Sequence, residues 1–382
     1  MTVTPYFEEL ISLAVNLRAS DVHVVCRKSP SMRIDGTVTI APGKLPVLSA
    51  EETEQMLLGL LSDQQRKRLE ADMEIDFGLQ VSTQESQVRL RVNMHYQRFG
   101  LAAVFRMIPQ HAPTPEAISL EPSLIDLKDL PGGLVLVTGA TGMGKSTTVA
   151  SLINAINSRH SKHILTIEDP IEYYFEEGTC RVTQREIDSH THSFASALRS
   201  ALRANPNIIF VGEMRDLETI ALALTAAETG HLVFSTLHTP DVAHTLHRII
   251  DVFPSAQQSM VRAQLASCLQ AVVGQVLIPC ASGEGRAAAR EILLANAAVR
   301  THIREGEIHQ IYPTLCSSID GGMCPLELAL ARQVNQGIVD YTEALNWANH
   351  RSVFESYIRD KAQPRENAKP DSAKSFQAFS AF

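Results

Sequence analysis

The stretch that most constrains this chain is Gly139-Ala-Thr-Gly-Met-Gly144-Lys145-Ser146. It fills every fixed position of the pattern G-x-x-x-x-G-K-[ST]. An apolar run, Gly133–Thr138, leads into it and reads as a short strand, and a helical pattern follows from Lys145. Such a loop has one physical use. Backbone N–H groups curl around an anion, glycine permits the curl without a Cβ clash, and the following helix points its positive dipole end at the same place. The candidate phosphate contacts are Gly139, Thr141, Gly142, Gly144, Lys145, Ser146 and Thr147, with Lys145 reaching β- and γ-phosphates and Ser146 holding Mg²⁺. A chance glycine-rich turn is the competing reading, and the strand before and helix after weigh against it.

Strands and helices alternate beyond the loop: strand 164–167, helix 193–204, strand 208–211, helix 216–229, strand 232–236. This alternation predicts an α/β domain with a parallel sheet covered on both faces. Residues 255–279 and 323–350 read as helices outside that sheet. Ahead of it, residues 5–18 carry apolar side chains at helical spacing (Phe7, Leu10, Ile11, Ala14, Leu17). Strand-like runs follow at 22–25, 31–34 and 37–40, with Asp35-Gly36 as a hairpin signal. A helix is expected over 50–71, and strands over 87–96 and 100–108. The expected organisation is an α+β domain at 1–108, a Pro-rich surface linker at 109–131, an α/β domain carrying the phosphate loop at 132–358 and a disordered tail at 359–382. The closing FQAFSAF is apolar enough for a docking peptide, although a solvated tail fits the composition better. No internal repeat is evident.

A net charge of −8 argues against a nucleic-acid partner, which would require a basic face. Cys26, Cys180, Cys268, Cys280, Cys316 and Cys324 form no C-x-x-C pair, so free thiols in a reducing cytoplasm are expected rather than a structural zinc site. The start, MTVTPYFEEL, lacks the pattern of a signal peptide, and no apolar stretch is long enough to span a bilayer.

Hydrolysis requires a group that orients or deprotonates water and an acid that supports the metal. Two strand ends supply carboxylates: Ile164-Leu-Thr-Ile-Glu168-Asp169-Pro170-Ile171-Glu172 and Ile208-Ile-Phe-Val-Gly212-Glu213-Met214-Arg215-Asp216. In a parallel sheet these ends line the ligand crevice. Helix capping competes as an explanation, weakly for Glu168 and Glu213 and seriously for Asp169, Glu172 and Asp216. A third strand ends at His238, with His231 at its start. A lone histidine is usually structural, but one at the crevice end of a core strand can sense a γ-phosphate.

The succession GATGMGKS, TIEDPIEY, IIFVGEMRD and GHLVFSTLHT resembles the secretion ATPase superfamily, the motors of type II secretion, type IV secretion and type IV pili. Within it the run from GEMRD to STLHT resembles the PilT-like retraction branch, as do Arg91-Val92-Asn93, Arg248–Pro254, Ala298–Glu305 and the opening Ala19-Ser20-Asp21-Val22-His23. The resemblance covers residues 5–355. It implies a RecA-like P-loop ATPase core behind a smaller, PAS-like amino-terminal domain, using ATP and Mg²⁺. It also implies a cytoplasmic homo-hexamer that turns an inner-membrane pilus platform protein, in some cases beside a paralogous motor ATPase. Carried onto matching positions, it makes Glu168 the general base and Glu213 the acid supporting metal and water. His231 and His238 become couplers of nucleotide state to subunit movement. Arg91 and Arg106, with Arg89, become nucleotide contacts on the same or a neighbouring subunit, a role that competes with snorkelling strand arginines.

Some features depart from the resemblance. Asn205 and Asn207 stand where relatives tend to have aspartates, and Met323-Cys-Pro-Leu replaces a more polar segment. A four-cysteine element, usual in extension and type II secretion ATPases, is absent, and the longer tail is shared with the accessory retraction ATPases of the PilU type. The leading expectation is a retraction motor. An accessory or type IV secretion ATPase, a weakly hydrolysing nucleotide-gated scaffold, and a RecA-type nucleic-acid motor stand as alternatives. Retention of Glu168 and Glu213 speaks against the scaffold, and the charge against the nucleic-acid motor.

Overall fold

The computed structural model describes residues 3–34, 37–41, 43, 45–83, 87–108, 111–176 and 178–358. The hairpin turn expected at Asp35-Gly36 and the tail expected at 359–382 lie outside the described residues. The chain divides into two compact units. The first runs to His111 and includes Pro170–Tyr174; the second takes Ala112–Asp169 and continues from Phe175.

The first unit contains α1 (Pro5–Asn16), β1 (Asp21–Val25), β2 (Ser31–Ile34), β3 (Thr37–Ile40), α2 (Ala50–Gly59), α3 (Asp63–Asp72), β4 (Glu74–Ser82), β5 (Gln87–Gln97) and β6 (Gly100–Ile108). Its strands form an antiparallel sheet ordered β3-β2-β1-β6-β5-β4. Helix α1 buries Phe7, Leu10, Ile11 and Ala14, as its spacing predicts, and Phe7 meets Phe105 of β6 at 4.9 Å between ring centroids. The single helix expected over 50–71 is two. Ser62 caps a new helix by accepting from Gln65 N while the Gln65 side chain returns to Ser62 N, and this capping box breaks the run. The strand β4 was not anticipated, although Ile75, Phe77, Leu79 and Val81 alternate cleanly into the core.

In the second unit, α4 (Pro122–Ile125) precedes β7 (Gly133–Thr138), α5 (Lys145–Asn157), β8 (His163–Glu168), β9 (Arg181–Glu186), α6 (Phe194–Ala201), β10 (Ile208–Val211), α7 (Leu217–Glu228) and β11 (Leu232–Leu237). Then come α8 (Val242–Asp251), α9 (Ser255–Cys268), β12 (Leu269–Pro279), β13 (Arg286–Leu294), α10 (Ala297–Glu305), α11 (Ile311–Ser317), α12 (Leu326–Asn335), α13 (Tyr341–Trp347) and α14 (Arg351–Tyr357). The sheet order is β13-β12-β7-β11-β10-β8-β9, parallel throughout except for β13. Strand β7 shows why both faces are covered. Leu134 and Leu136 join the core under α6, α7, α8 and α9, while Val135 and Val137 join the core under α5, α12 and α14.

Two expectations change here, and two strands are added. Residues 269–279 are not helical: β12 pairs directly with β7, because Val272, Val273, Val276 and Ile278 form a strand buried on both faces. The strand β9 and the edge strand β13 were not foreseen. The stretch 109–131 is not a surface linker throughout, since Ile118, Leu120, Leu124 and Leu127 are buried in the second unit's core. The two departures noted above have local accounts. Asn205 occupies the left-handed region at φ 49°, which asparagine tolerates, and the Asn207 side-chain Oδ1 accepts from His163 N at 2.9 Å. Met323 is buried, and Cys324 bridges to Ile292 through paired backbone hydrogen bonds.

Phe105→Ala should lower the stability of the first unit by about 3–5 kcal/mol, because it leaves a cavity against Phe7; chemical denaturation followed by circular dichroism reads this directly.

Candidate active site

Strand β7 is buried along its whole length and delivers Gly139 to the carboxyl edge of the sheet. A Cβ on Gly139 would lie 2.4 Å from the Gln275 carbonyl oxygen of β12, so no other residue fits there. Gly144, at φ 75°, is the N-cap of the 13-residue α5 and supplies no side-chain cap. No N-cap side chain therefore stands at the positive end of the helix dipole, where an anion is favoured. Lys145 is only 7% exposed, and its Nζ donates to the Gly139 and Ala140 carbonyls at 2.9 and 3.0 Å. Ser146 and Thr147 occupy the first turn and are half-buried. Left-handed glycines, a helix N-terminus without a side-chain cap and a buried ammonium together fit a polyphosphate.

His238 follows β11, which pairs with β7, and its Nδ1 lies 3.4 Å from both Lys145 Nζ and Thr141 Oγ1. An ammonium can only donate, so Nδ1 accepts and the ring proton sits on Nε2. That nitrogen lies 3.2 Å from Glu213 Oε1, which also accepts from Arg215 Nε at 2.5 Å. Glu213 follows β10, the next strand along. Thr236 Oγ1 donates to the Gly212 carbonyl at 2.6 Å, and Met214 N donates to the Thr236 carbonyl at 3.2 Å, which fixes the turn. Lys145, Thr141, His238, Glu213 and Arg215 therefore form one connected group.

The remaining sequence candidates sit elsewhere. Glu168 closes β8, one strand further along and three from β7, about 14 Å at ordinary strand spacing. It is 6% exposed, and its Oε1 accepts from Thr166 Oγ1 at 2.7 Å and Gln184 Nε2 at 3.3 Å. Asp216 is a helix cap, accepting from Thr219 N at 2.9 Å. Asp169 and Glu172 precede no helix, so capping does not explain them. His231 is not brought to the loop of its own chain. It immediately precedes β11 at the opposite edge of the sheet, about 20 Å from His238 by strand length, and its Nδ1 lies 3.0 Å from the Ala226 carbonyl at the end of α7. Arg91 and Arg106 belong to the first unit, where they are register partners on β5 and β6, and Arg106 Nε donates to Asp21 at 3.0 Å. Gln275 and Arg290, both on strands that sequence reading missed, touch the loop's outer flank or its partners. The β-branched run before Gln275 was the available signal.

A family model described as Type II/IV secretion system protein matches residues 1–368. The chain belongs to this family. Among its curated relatives is the type IV pilus retraction ATPase PilT of Pseudomonas aeruginosa, 44% identical over 336 residues, covering 88% of this chain and 96% of that protein. A twitching motility protein of Neisseria gonorrhoeae is 46% identical over 311 residues, covering 81% and 82%. A crystal structure of the pilus retraction motor PilT with bound ADP superposes with a TM-score of 0.84 at 41% identity, covering 91% and 98%. This Type II/IV secretion family member thus shares its fold with a relative solved with bound ADP.

Behind His238, this family member buries an acid. Glu291 of β13 accepts from Val242 N at 3.0 Å, at the start of the helix that follows the histidine. Burial pushes its carboxyl up to about 8, and Asp241 and Glu327 nearby add to the rise, against the lowering effect of the Val242 hydrogen bond. A folded-state value above the unfolded one means that the folded protein holds a proton which the unfolded chain has lost. Stability therefore falls as pH rises from the ordinary carboxylate range to about 8. Glu291→Gln should flatten this dependence relative to the wild type and gain on the order of 2 kcal/mol at pH 8.5. Thermal midpoints of both proteins between pH 6 and 8.5 provide the check.

Proposed function

We propose that this chain is a cytoplasmic ATP hydrolase that drives retraction of a type IV pilus, working as a homo-hexamer against an inner-membrane platform protein. The observation that carries the reading is the connected group of Lys145, His238 and Glu213 across three neighbouring strand ends, beside a loop built for a polyphosphate. The names borne by the PilT and twitching motility relatives support the retraction role. The described residues include no helix long and apolar enough to cross a membrane, which fits action through a membrane partner. The net charge of −8 fits a protein rather than a nucleic-acid track.

The loop N–H groups and Lys145 bind the phosphates and stabilise the charge that moves onto them in the transition state. Ser146 and Glu213 would hold Mg²⁺, which neutralises negative charge on the phosphates when bound. Glu168, with one oxygen held by Thr166 and Gln184, is assigned the attacking water and its proton. His238 touches both the loop lysine and Glu213, so a change at the γ-phosphate position alters its hydrogen bonds on either side. The family resemblance also assigns Arg91 and Arg106 to nucleotide.

Lys145→Ala should remove ATP turnover by at least about 100-fold while leaving the circular dichroism spectrum unchanged; undiminished turnover would remove the site assignment. In a host deleted for this chain, surface twitching should cease and return with the wild type but not with Lys145→Ala. Twitching that persists in the deletion would overturn the retraction role.

A further inference from the structure

The phosphate loop is held from behind by a buried polar group that the family motifs do not include. Gln275 of β12 is 2% exposed, Arg290 of β13 is 1% exposed and Thr148 of α5 is 1% exposed. The Gln275 Oε1 accepts from Thr148 Oγ1 at 2.7 Å and from Arg290 Nε at 2.9 Å. The guanidinium can only donate, so the side it faces must be the amide oxygen, and the amide has one orientation open to it. Its NH₂ then donates to the Met143 carbonyl, inside the loop, at 2.6 Å. Reversing the amide would set its NH₂ against the Arg290 Nε–H and its oxygen against the Met143 carbonyl.

Because a trans peptide points its C=O and N–H in opposite directions, anchoring the Met143 carbonyl on Gln275 aims the Gly144 N–H away from β12, toward the cradle. The orientation of a phosphate-binding donor is thereby set by a side chain that never meets the phosphate. Arg290 extends the connection. Its Nη1 donates to the Ser119 carbonyl at 3.2 Å and to Glu121 at 3.1 Å, and its Nη2 to the Ile118 carbonyl at 3.1 Å. Ser119 sits in the left-handed region at φ 46°, a strained conformation for serine that these bonds help to hold. Residues 118–121 belong to the stretch by which the chain enters the second unit after His111.

We propose that Gln275 is a positioning residue for the phosphate loop, and that Arg290 ties its orientation to the segment 118–121, so that the conformation of that segment sets nucleotide affinity. This rests on the reading of the loop as a nucleotide site. The test is binding of a fluorescent ADP analogue, with KM and kcat for ATP, by the full chain and by Gln275→Met, Arg290→Met, Thr148→Val and Thr148→Ser. Gln275→Met and Arg290→Met should weaken ADP binding about tenfold and raise KM more than they lower kcat, since preorganised donors act on ground-state binding as well. Thr148→Val, nearly isosteric, should weaken binding by a smaller factor, and Thr148→Ser should restore it. A purely structural role predicts a lowered melting temperature with ADP affinity unchanged below it. Folded variants that all bind ADP within twofold of the wild type would overturn the proposal while leaving the nucleotide site intact. If a methionine variant fails to fold, the Thr148 pair decides by the same criterion. A wild type that binds no ADP would overturn both this proposal and the site.

Discussion

Parallel pairing of β7 with β11, and of β11 with β10, is the constraint from which the site follows. In that register the three strands end at one edge, and what comes next on each is Gly139, His238 and, after one glycine, Glu213. Strand spacing of about 4.8 Å sets these groups within reach of one another without any long side chain stretching to do so. The same rule sends His231, seven residues ahead of His238, to the far edge. Direction along a strand therefore places the two histidines at opposite edges of the sheet, though they share a segment.

The loop itself is held from several sides. Lys145 ties back to two loop carbonyls, β12 leaves Gly139 no room for a side chain, and Gln275 takes the Met143 carbonyl. A loop built only of glycines would have a large conformational entropy to lose on binding. Contacts made before the ligand arrives reduce that loss, and catalysis by positioning and electrostatics depends on it. Their buried polar partners, Arg290 and Thr148, are hydrogen-bonded, as burial of such groups requires.

The phosphate loop and its flanking strand and helix were legible because a local pattern specifies them. Strands 208–211 and 31–34 were legible because their apolar runs end at clear turn signals. What escaped was decided by long-range pairing. Val272 to Ile278 reads equally well as a buried helix continuing α9, and only pairing with β7 makes it a strand. With β12 misread, Gln275 had no reason to stand out. Glu168 and Glu213 look equivalent in sequence, each at the end of an apolar strand. The sheet order, which sequence does not show, joins Glu213 to the loop lysine and sets Glu168 one strand beyond. The Pro-rich stretch misled because its prolines dominate the composition, while Leu120, Leu124 and Leu127 recur at helical spacing over only two turns, and these and Ile118 are all buried.

The most direct test of the account is steady-state ATP hydrolysis with Mg²⁺ by the full chain beside its Glu213→Gln variant, with ADP binding measured on both. The account predicts turnover by the wild type, a loss of at least about 100-fold in the variant, and ADP binding by both. Equal turnover by the two proteins would contradict it, since the carboxylate that the sheet joins to the phosphate loop would then take no part in the reaction.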